Sequence, residues 1–292
     1  LKTGGNVLKL LPSKYKAVDV LITKNGEWHL NGFAEKPEKI FRHIDIAFNA
    51  MHGEFGEDGK VQQIFENYNI PYTGSGVLSS AIAMNKILAR KSFIDVGLKA
   101  PRALFIKKGA NVKEFTSKVF QAFASPWVVK PPSKGSSVGV QIVKVFNDLA
   151  NSIEGCFEYG DIVMVEEYIH GREVTCGVLE KFRKQRYYAL PIIEIIPPEN
   201  KFFDYESKYN GTTQEVCPGR FTHNTKEEVE NLAKKAHNVL GCKGYSRSDF
   251  IISKRGIYLL ETNTLPGLTS ESLFPKALKT IGLEFPDLID HL

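Results

Sequence analysis

The segment from Ser246 to Gly267 places oxygen-bearing side chains in an otherwise apolar setting: Ser-Arg-Ser-Asp-Phe-Ile-Ile-Ser-Lys-Arg-Gly-Ile-Tyr-Leu-Leu-Glu-Thr-Asn-Thr-Leu-Pro-Gly. It reads as two β-strands joined by a turn near Arg255. The first carries Asp249, the second Glu261 and Asn263. Glu261 and Asn263 stand two residues apart and therefore share a strand face. A turn centred near Arg255 sets Asp249 opposite Glu261. Carboxylates at the ends of buried strands are costly to desolvate without a partner. Two like charges across a strand pair repel unless a cation or a proton lies between them. A hard divalent cation such as Mg²⁺ suits this set of oxygens, and it usually brings a nucleotide phosphate with it. The alternative is a solvated strand end with Asn263 opening a turn; Phe250, Leu259 and Leu260 argue for burial.

Other stretches could serve such a ligand. Lys130-Pro-Pro-Ser-Lys-Gly-Ser-Ser-Val-Gly139 lies between apolar strands. Small residues let backbone N–H groups approach phosphate oxygens, and Ser hydroxyls add donors. It is not a Walker A loop, because no helix follows and the spacing differs. A plain surface hairpin has the same composition. The apolar run Ile162–Tyr168 ends in Glu166, and Glu173 opens the next strand. Carboxylates there could accept from an adenine amino group or ribose hydroxyls, or be ordinary edge-strand charge. His52, in His-Gly-Glu-Phe-Gly-Glu-Asp-Gly59, follows the run Ile44–Phe48 at the end where open α/β sheets bind ligands. It could equally be structural.

The elements that must position these residues follow from the pattern. The chain has 292 residues, 42% hydrophobic and 24% charged, a globular composition with room for two or three packed domains. The net charge of +5 is small and scattered, with no basic run, which argues against nucleic acid. No apolar run approaches the roughly 20 residues that cross a bilayer. The four cysteines show no CxxC pair, as expected of free thiols in a reducing cytosol. The first third alternates strands (Val18–Ile22, Glu27–Leu30, Ile44–Phe48) with helical spacing over Lys60–Asn69 and Ser79–Val96, an open α/β pattern. The middle alternates strands Trp127–Lys130, Val138–Val143 and Ile162–Tyr168 with helices near Val112–Ala124 and Phe146–Phe157, a small α+β unit. More strands follow, then a long polar loop from Pro197 to Thr222, a helix over Lys226–Leu240, and the hairpin.

Taken together, these stretches resemble the D-alanine–D-alanine ligases of the ATP-grasp superfamily. The likeness rests on His52-Gly-x3-Glu-Asp-Gly59, Tyr72-Thr-Gly-Ser-Gly76, Met84-Asn-Lys86, Lys130 through Gly139, Phe203-Asp-Tyr-Glu-x-Lys-Tyr209, Arg247-x-Asp249 and Glu261-Thr-Asn-Thr-Leu-Pro-Gly267, in the family's order along almost the whole chain. The resemblance implies a three-domain ATP-grasp architecture. An open α/β N-terminal domain would span 1–85, a small α+β central domain 86–168 and a mixed-sheet C-terminal domain 169–292. ATP would lie between the last two. Lys86, Lys130 and Lys208 would neutralise phosphate charge, with Ser137 in the loop that closes over it. Glu166, Glu167, Tyr168, Ile169, Glu173 and Leu260 would surround adenine and ribose. Asp249, Glu261 and Asn263 would hold two Mg²⁺ (or Mn²⁺) ions.

The same resemblance implies two D-alanine substrates joined through a D-alanyl phosphate. Ser136 and Tyr209 would form a hydrogen-bonded pair at the first substrate, Arg247 and the Gly267 N–H would face the oxyanion, Ser272 and Leu273 would bind the second substrate, and His52 would lie near both. In related ligases that make a depsipeptide a Phe stands at the Tyr209 position, so Tyr favours a dipeptide. A homodimer in the cytoplasm, with no membrane or nucleic-acid partner, is implied as well. One part of the family pattern has no counterpart: an opening strand, a Gly-rich loop and a glutamate that binds the first substrate's ammonium. Leu1-Lys-Thr-Gly-Gly resembles the helix after that loop. Two other readings are an ATP-grasp ligase with another acceptor, such as D-serine, and a nucleotide-binding relative without ligase activity.

Overall fold

The computed structural model describes residues 1–135, 138–197 and 213–292. The chain opens with a helix, α1 (Lys2–Leu10), despite Gly4 and Gly5, each of which costs about 1 kcal/mol against Ala in a helix interior. Tertiary contacts hold it. Val7 is buried among Leu265, Leu268 and Phe285, and Asn6 Nδ2 donates to the Leu268 carbonyl at 2.8 Å. A small antiparallel sheet follows, β1 (Val20–Ile22), β2 (Trp28–Leu30) and β3 (Phe33–Ala34), in that order. Trp28 packs edge-on to Phe41 beneath it. Helices α2 (Pro37–Ile40), α3 (Lys60–Asn67), α4 (Val77–Met84) and α5 (Lys86–Asp95) complete this region.

Two expectations need correction here. The run Ile44–Phe48 makes one parallel bridge, Ala47 with Tyr72, rather than a strand. Only Ala47 finds backbone partners, at Pro71 and Thr73, so no ladder forms. The single helix expected over Ser79–Val96 is broken at Asn85, whose backbone is extended. Its side-chain oxygen accepts from the N–H groups of Ile87 and Leu88 at 3.1 and 3.3 Å, capping α5 and making Lys86 its first residue.

The middle of the chain forms a four-stranded antiparallel sheet from β4 (Ala103–Lys107), β5 (Trp127–Lys130), β6 (Gln141–Val143) and β7 (Ile162–Glu167), in the order β4-β7-β5-β6. Helices α6 (Val112–Ala122) and α7 (Phe146–Cys156) cover one face, where Trp127, Val129, Val163 and Val165 meet Val119, Leu149 and Ile153. Alternation leaves Lys130 and Glu166 on the other face.

The last sheet contains β8 (Arg172–Glu180), β9 (Tyr187–Ala189), β10 (Ile193–Ile196), β11 (Gln214–Val216), β12 (Tyr245–Ser253) and β13 (Gly256–Asn263). Its order is β11-β10-β8-β12-β13, with β9 paired to β8. The helix α8 (His223–Val239) begins at Thr222, whose hydroxyl accepts from the Thr225 N–H at 3.3 Å. It lies on one face, against Val174, Cys176, Val178, Phe250 and Leu259. The opposite face carries Thr175, Arg247 and Asp249 at its centre and, lower down, Leu190, Tyr245, Leu265 and Phe274. Helices α9 (Leu273–Thr280) and α10 (Phe285–His291) close that lower core.

Candidate active site

The β12–β13 register sets Asp249 opposite Glu261 and Arg247 opposite Asn263, with an irregularity in the pairing between Asp249 and Phe250. All four residues therefore share one face, as the spacing requires. Each carboxylate has a protein cation. Arg247 forks onto Asp249, Nε to Oδ1 and Nη2 to Oδ2, both at 2.9 Å. Thr175 on β8 donates its hydroxyl to Asp249 Oδ1 at 2.6 Å. Lys86, at the start of α5, lies 3.1 Å from Glu261 Oε2 and donates to the Lys134 carbonyl at 2.9 Å. The like-charge repulsion inherent in the register is thus relieved here by a guanidinium and an ammonium. Burial pulls the Arg247 guanidinium down, but Asp249, Glu261 and Glu57 outweigh it and hold the group above its ordinary range.

Lys86, Glu261 and Asn263 border a small cavity together with Glu57 and Gly135, among others. Its oxygen donors are hard: the carboxylates of Glu57 and Glu261 and the Asn263 amide, with Asp249 beside Glu261 on the neighbouring strand. Among the described residues no group of three or more His, Cys, Asp or Glu side chains is placed to cage a metal. The hairpin set fits a cation that takes one or two carboxylates from protein and completes its shell with phosphate and water, as Mg²⁺ does. A wider hollow, between Arg172, Arg220, Phe221, Thr222 and Ile252, lies by the N-terminus of α8 on the opposite face of the sheet.

His52 joins this group from the N-terminal region. Its Nε2 lies 2.7 Å from the Thr3 hydroxyl, and its Nδ1 lies 3.2 Å from the Leu265 carbonyl and 3.5 Å from Glu57. Beyond β13, a Cβ at Gly267 would come within 2.8 Å of Ser272 Oγ, so the two residues are in close approach and a side chain at Gly267 would displace the Ser272 hydroxyl. The Ser272 hydroxyl lies 2.8 Å from that of Thr269 and accepts from the Thr269 N–H, which braces the loop before α9, whose first residue is Leu273.

The other expected residues gather at the end of β7. Lys130 Nζ and Glu166 Oε2 are 2.5 Å apart, and both side chains are buried. Glu167, one residue on, faces the opposite way. Its carboxylate accepts from the Arg102 N–H at 3.0 Å, Arg102 Nη2 at 3.3 Å and Arg255 Nη1 at 3.1 Å. Burial raises the Glu167 carboxyl, but these donors hold it below the usual carboxylate range. The side chain of Glu167 is therefore turned to arginines, which leaves its backbone at the end of β7 as the part that could face a nucleotide. Tyr168 packs edge-on to His170, Ile169 is buried, and Glu173 lies beside Ile251 of β12. Leu260 is half-buried on β13. Ser136, Ser137, Lys208 and Tyr209 lie outside the described residues.

Comparison with known proteins gives this arrangement a family. A family model described as D-ala D-ala ligase C-terminus matches residues 93–292, and one described as D-ala D-ala ligase N-terminus matches 31–75. This chain belongs to the D-alanine–D-alanine ligase family. It is 44% identical to the D-alanine–D-alanine ligase of Syntrophobacter fumaroxidans, over 100% of this chain and 91% of that one. It is 42% identical to the corresponding ligase of Geobacter sulfurreducens, over 100% and 87%. Among solved structures it matches the VanG D-Ala:D-Ser ligase from Enterococcus faecalis with a TM-score of 0.85 at 29% identity, covering 99% of this chain and 92% of that one. It matches the D-alanine–D-alanine ligase of Bacillus anthracis in complex with ATP with a TM-score of 0.80 at 32% identity, covering 99% and 89%. The fold is that of the ATP-grasp ligases. No helix among the described residues is long and apolar enough to cross a membrane.

Within this ligase fold, residues that sequence reasoning missed are now visible. Thr175 could have been found from the strand register that sets it beside Asp249. Arg102 and Arg255 could not, because they come to Glu167 from 65 and 88 positions away.

Proposed function

We propose that this chain joins two D-alanines to D-alanyl-D-alanine at the expense of ATP, for a peptidoglycan precursor, through a D-alanyl phosphate. The observation that carries the reading is the shared hairpin face of Arg247, Asp249, Glu261 and Asn263, approached by Lys86, in a chain of the ligase family. The carboxylate of the first D-alanine attacks the γ-phosphoryl group. This transfer needs positioning and charge neutralisation rather than covalent help from protein. Lys86, Lys130 and Lys208 supply positive charge, with Ser137 in the loop above. Asp249, Glu261 and Asn263 would hold two Mg²⁺ or Mn²⁺ ions, which when bound neutralise phosphate charge. Glu166, Tyr168, Ile169, Glu173 and Leu260 surround the base and ribose.

The amine of the second D-alanine then attacks the acyl carbon, and phosphate leaves. Arg247 engages Asp249 through Nε and Nη2; its Nη1, with the Gly267 N–H, is the donor for the oxyanion. Ser272 and Leu273 bind the acceptor, His52 lies at the substrates, and Ser136 pairs with Tyr209 over the first of them. We assign the N-terminal domain to 1–85, the central domain to 86–168 and the C-terminal domain to 169–292, in a cytoplasmic homodimer.

Incubation with ATP, Mg²⁺ and D-alanine should release phosphate and dipeptide together. No phosphate above background would sink the proposal. The likeness to a D-Ala:D-Ser ligase favours a second reading, with D-serine as acceptor. Competition between D-alanine and D-serine in one assay decides between them.

A further inference from the structure

Glu167 sits where three chain segments meet: the end of β7, the approach to β4 at Arg102, and the β12–β13 turn at Arg255. Its carboxylate is buried, whereas both arginine side chains are more than half exposed. The neighbouring contacts bind the same segments. Lys99 Nζ donates to the Arg255 carbonyl at 2.9 Å, and the Leu259 N–H donates to the Lys99 carbonyl at 2.8 Å. The Arg255 guanidinium lies 5.4 Å from the centre of the Tyr258 ring, which steers it toward Glu167. Tyr168 and Ile169 follow immediately, with the Tyr168 N–H on the Pro126 carbonyl at 3.1 Å. The carboxylate thus links the central sheet to the turn of the catalytic hairpin at the residues that would wall the adenine.

We propose that Glu167 is a positioning residue for the nucleotide. Clamped between Arg102 and Arg255, it fixes the β7 end against the β12–β13 turn, and so sets the width of the slot between Ile169 and Leu260. It touches no reacting atom. The proposal rests on the ligase reading for the location of the base. An ion pair to an exposed arginine contributes little to folding, so loss of Arg255 should alter geometry more than stability.

The test is Arg255→Ala, with Glu167→Gln and the double variant, read by calorimetric binding of Mg-ADP, by KM for ATP and for D-alanine, and by melting temperature. Each single variant should weaken ADP binding and raise KM for ATP roughly tenfold, because small misplacements of a bound ligand are costly. For Arg255→Ala, kcat at saturating ATP and KM for D-alanine should stay within about twofold, as expected when only ground-state and transition-state binding change together. The double variant should be no worse than the worse single one, since both break one contact. Arg255→Lys should recover part of the affinity. Wild-type ADP affinity in Arg255→Ala, with only a lower melting temperature, would reduce the clamp to a structural brace and overturn the proposal; that result stands even if Glu167→Gln fails to fold. Wild-type protein that binds no ADP would instead overturn the ligase reading, and this proposal with it.

Discussion

Two carboxylate pairs in this molecule divide their work differently, one set across two strands and the other consecutive on one. Asp249 and Glu261 face each other across β12 and β13, and Glu261 lines a small cavity beside them. Glu166 and Glu167 are consecutive on β7 and so point to opposite faces. The first pair concentrates charge, and Arg247 and Lys86 answer it beside the cavity that Glu261 lines. The second separates it: Glu166 goes to Lys130 on the open face, and Glu167 goes to arginines behind. Residue type alone does not mark a site. Convergence on one face does.

The comparison breaks most easily at Glu261. Glu261→Gln should lower dipeptide formation by about three orders of magnitude, the several kcal/mol that metal-assisted charge neutralisation supplies, while circular dichroism stays unchanged. Wild-type turnover would remove the metal from the hairpin. The β7 pair predicts a loss of stability instead. Lys130→Ala leaves Glu166 buried without its cation, and urea unfolding should report about 3–5 kcal/mol of lost stability. A loss under about 1 kcal/mol would mean that water already reaches the pair, as for surface ion pairs.

Arg247→Ala should slow amide formation about a hundredfold, the typical loss for one oxyanion donor. Phosphate release should then exceed dipeptide, because the acyl phosphate meets water instead of the amine. Equal losses of both products would place Arg247 at phosphoryl transfer instead.

The smallest effect comes from behind the hairpin. His237 of α8 is fully buried, with Nδ1 2.7 Å from the Ser246 hydroxyl, Nε2 3.8 Å from Glu180, and the Tyr187 ring against it. Burial outweighs Glu180 and lowers its pKa from 6.5 to about 4. The unfolded chain therefore takes up the proton first as pH falls. The contribution of the neutral ring is fully present above pH 6.5 and fades between 6.5 and about 4. Between pH 6.5 and 4.5 this amounts to about 2 kcal/mol. His237→Gln should flatten that part of the stability profile. An unchanged acid limb would mean that the loss belongs to carboxylates.

The hairpin was legible in the sequence because alternation and a single turn fix its register, and register fixes which side chains converge. The same reasoning located the β7 carboxylates, and it was the family resemblance that gave both of them to the ligand. Periodicity shows that Glu167 faces away from Glu166; it does not show which distant arginines wait there. Asn85 carried a usable signal, a capping residue inside a helical pattern, that a continuous apolar periodicity concealed. Ile44–Phe48 had strand composition, but a strand needs a partner along its length, and only Ala47 has one.

The most direct test of the central claim is Mn²⁺ binding followed by electron paramagnetic resonance at saturating ADP, for the wild type, Glu261→Gln and Glu167→Gln. Mn²⁺ should be bound in the wild type and in Glu167→Gln, and lost in Glu261→Gln. Retention of wild-type Mn²⁺ binding by Glu261→Gln would contradict the claim.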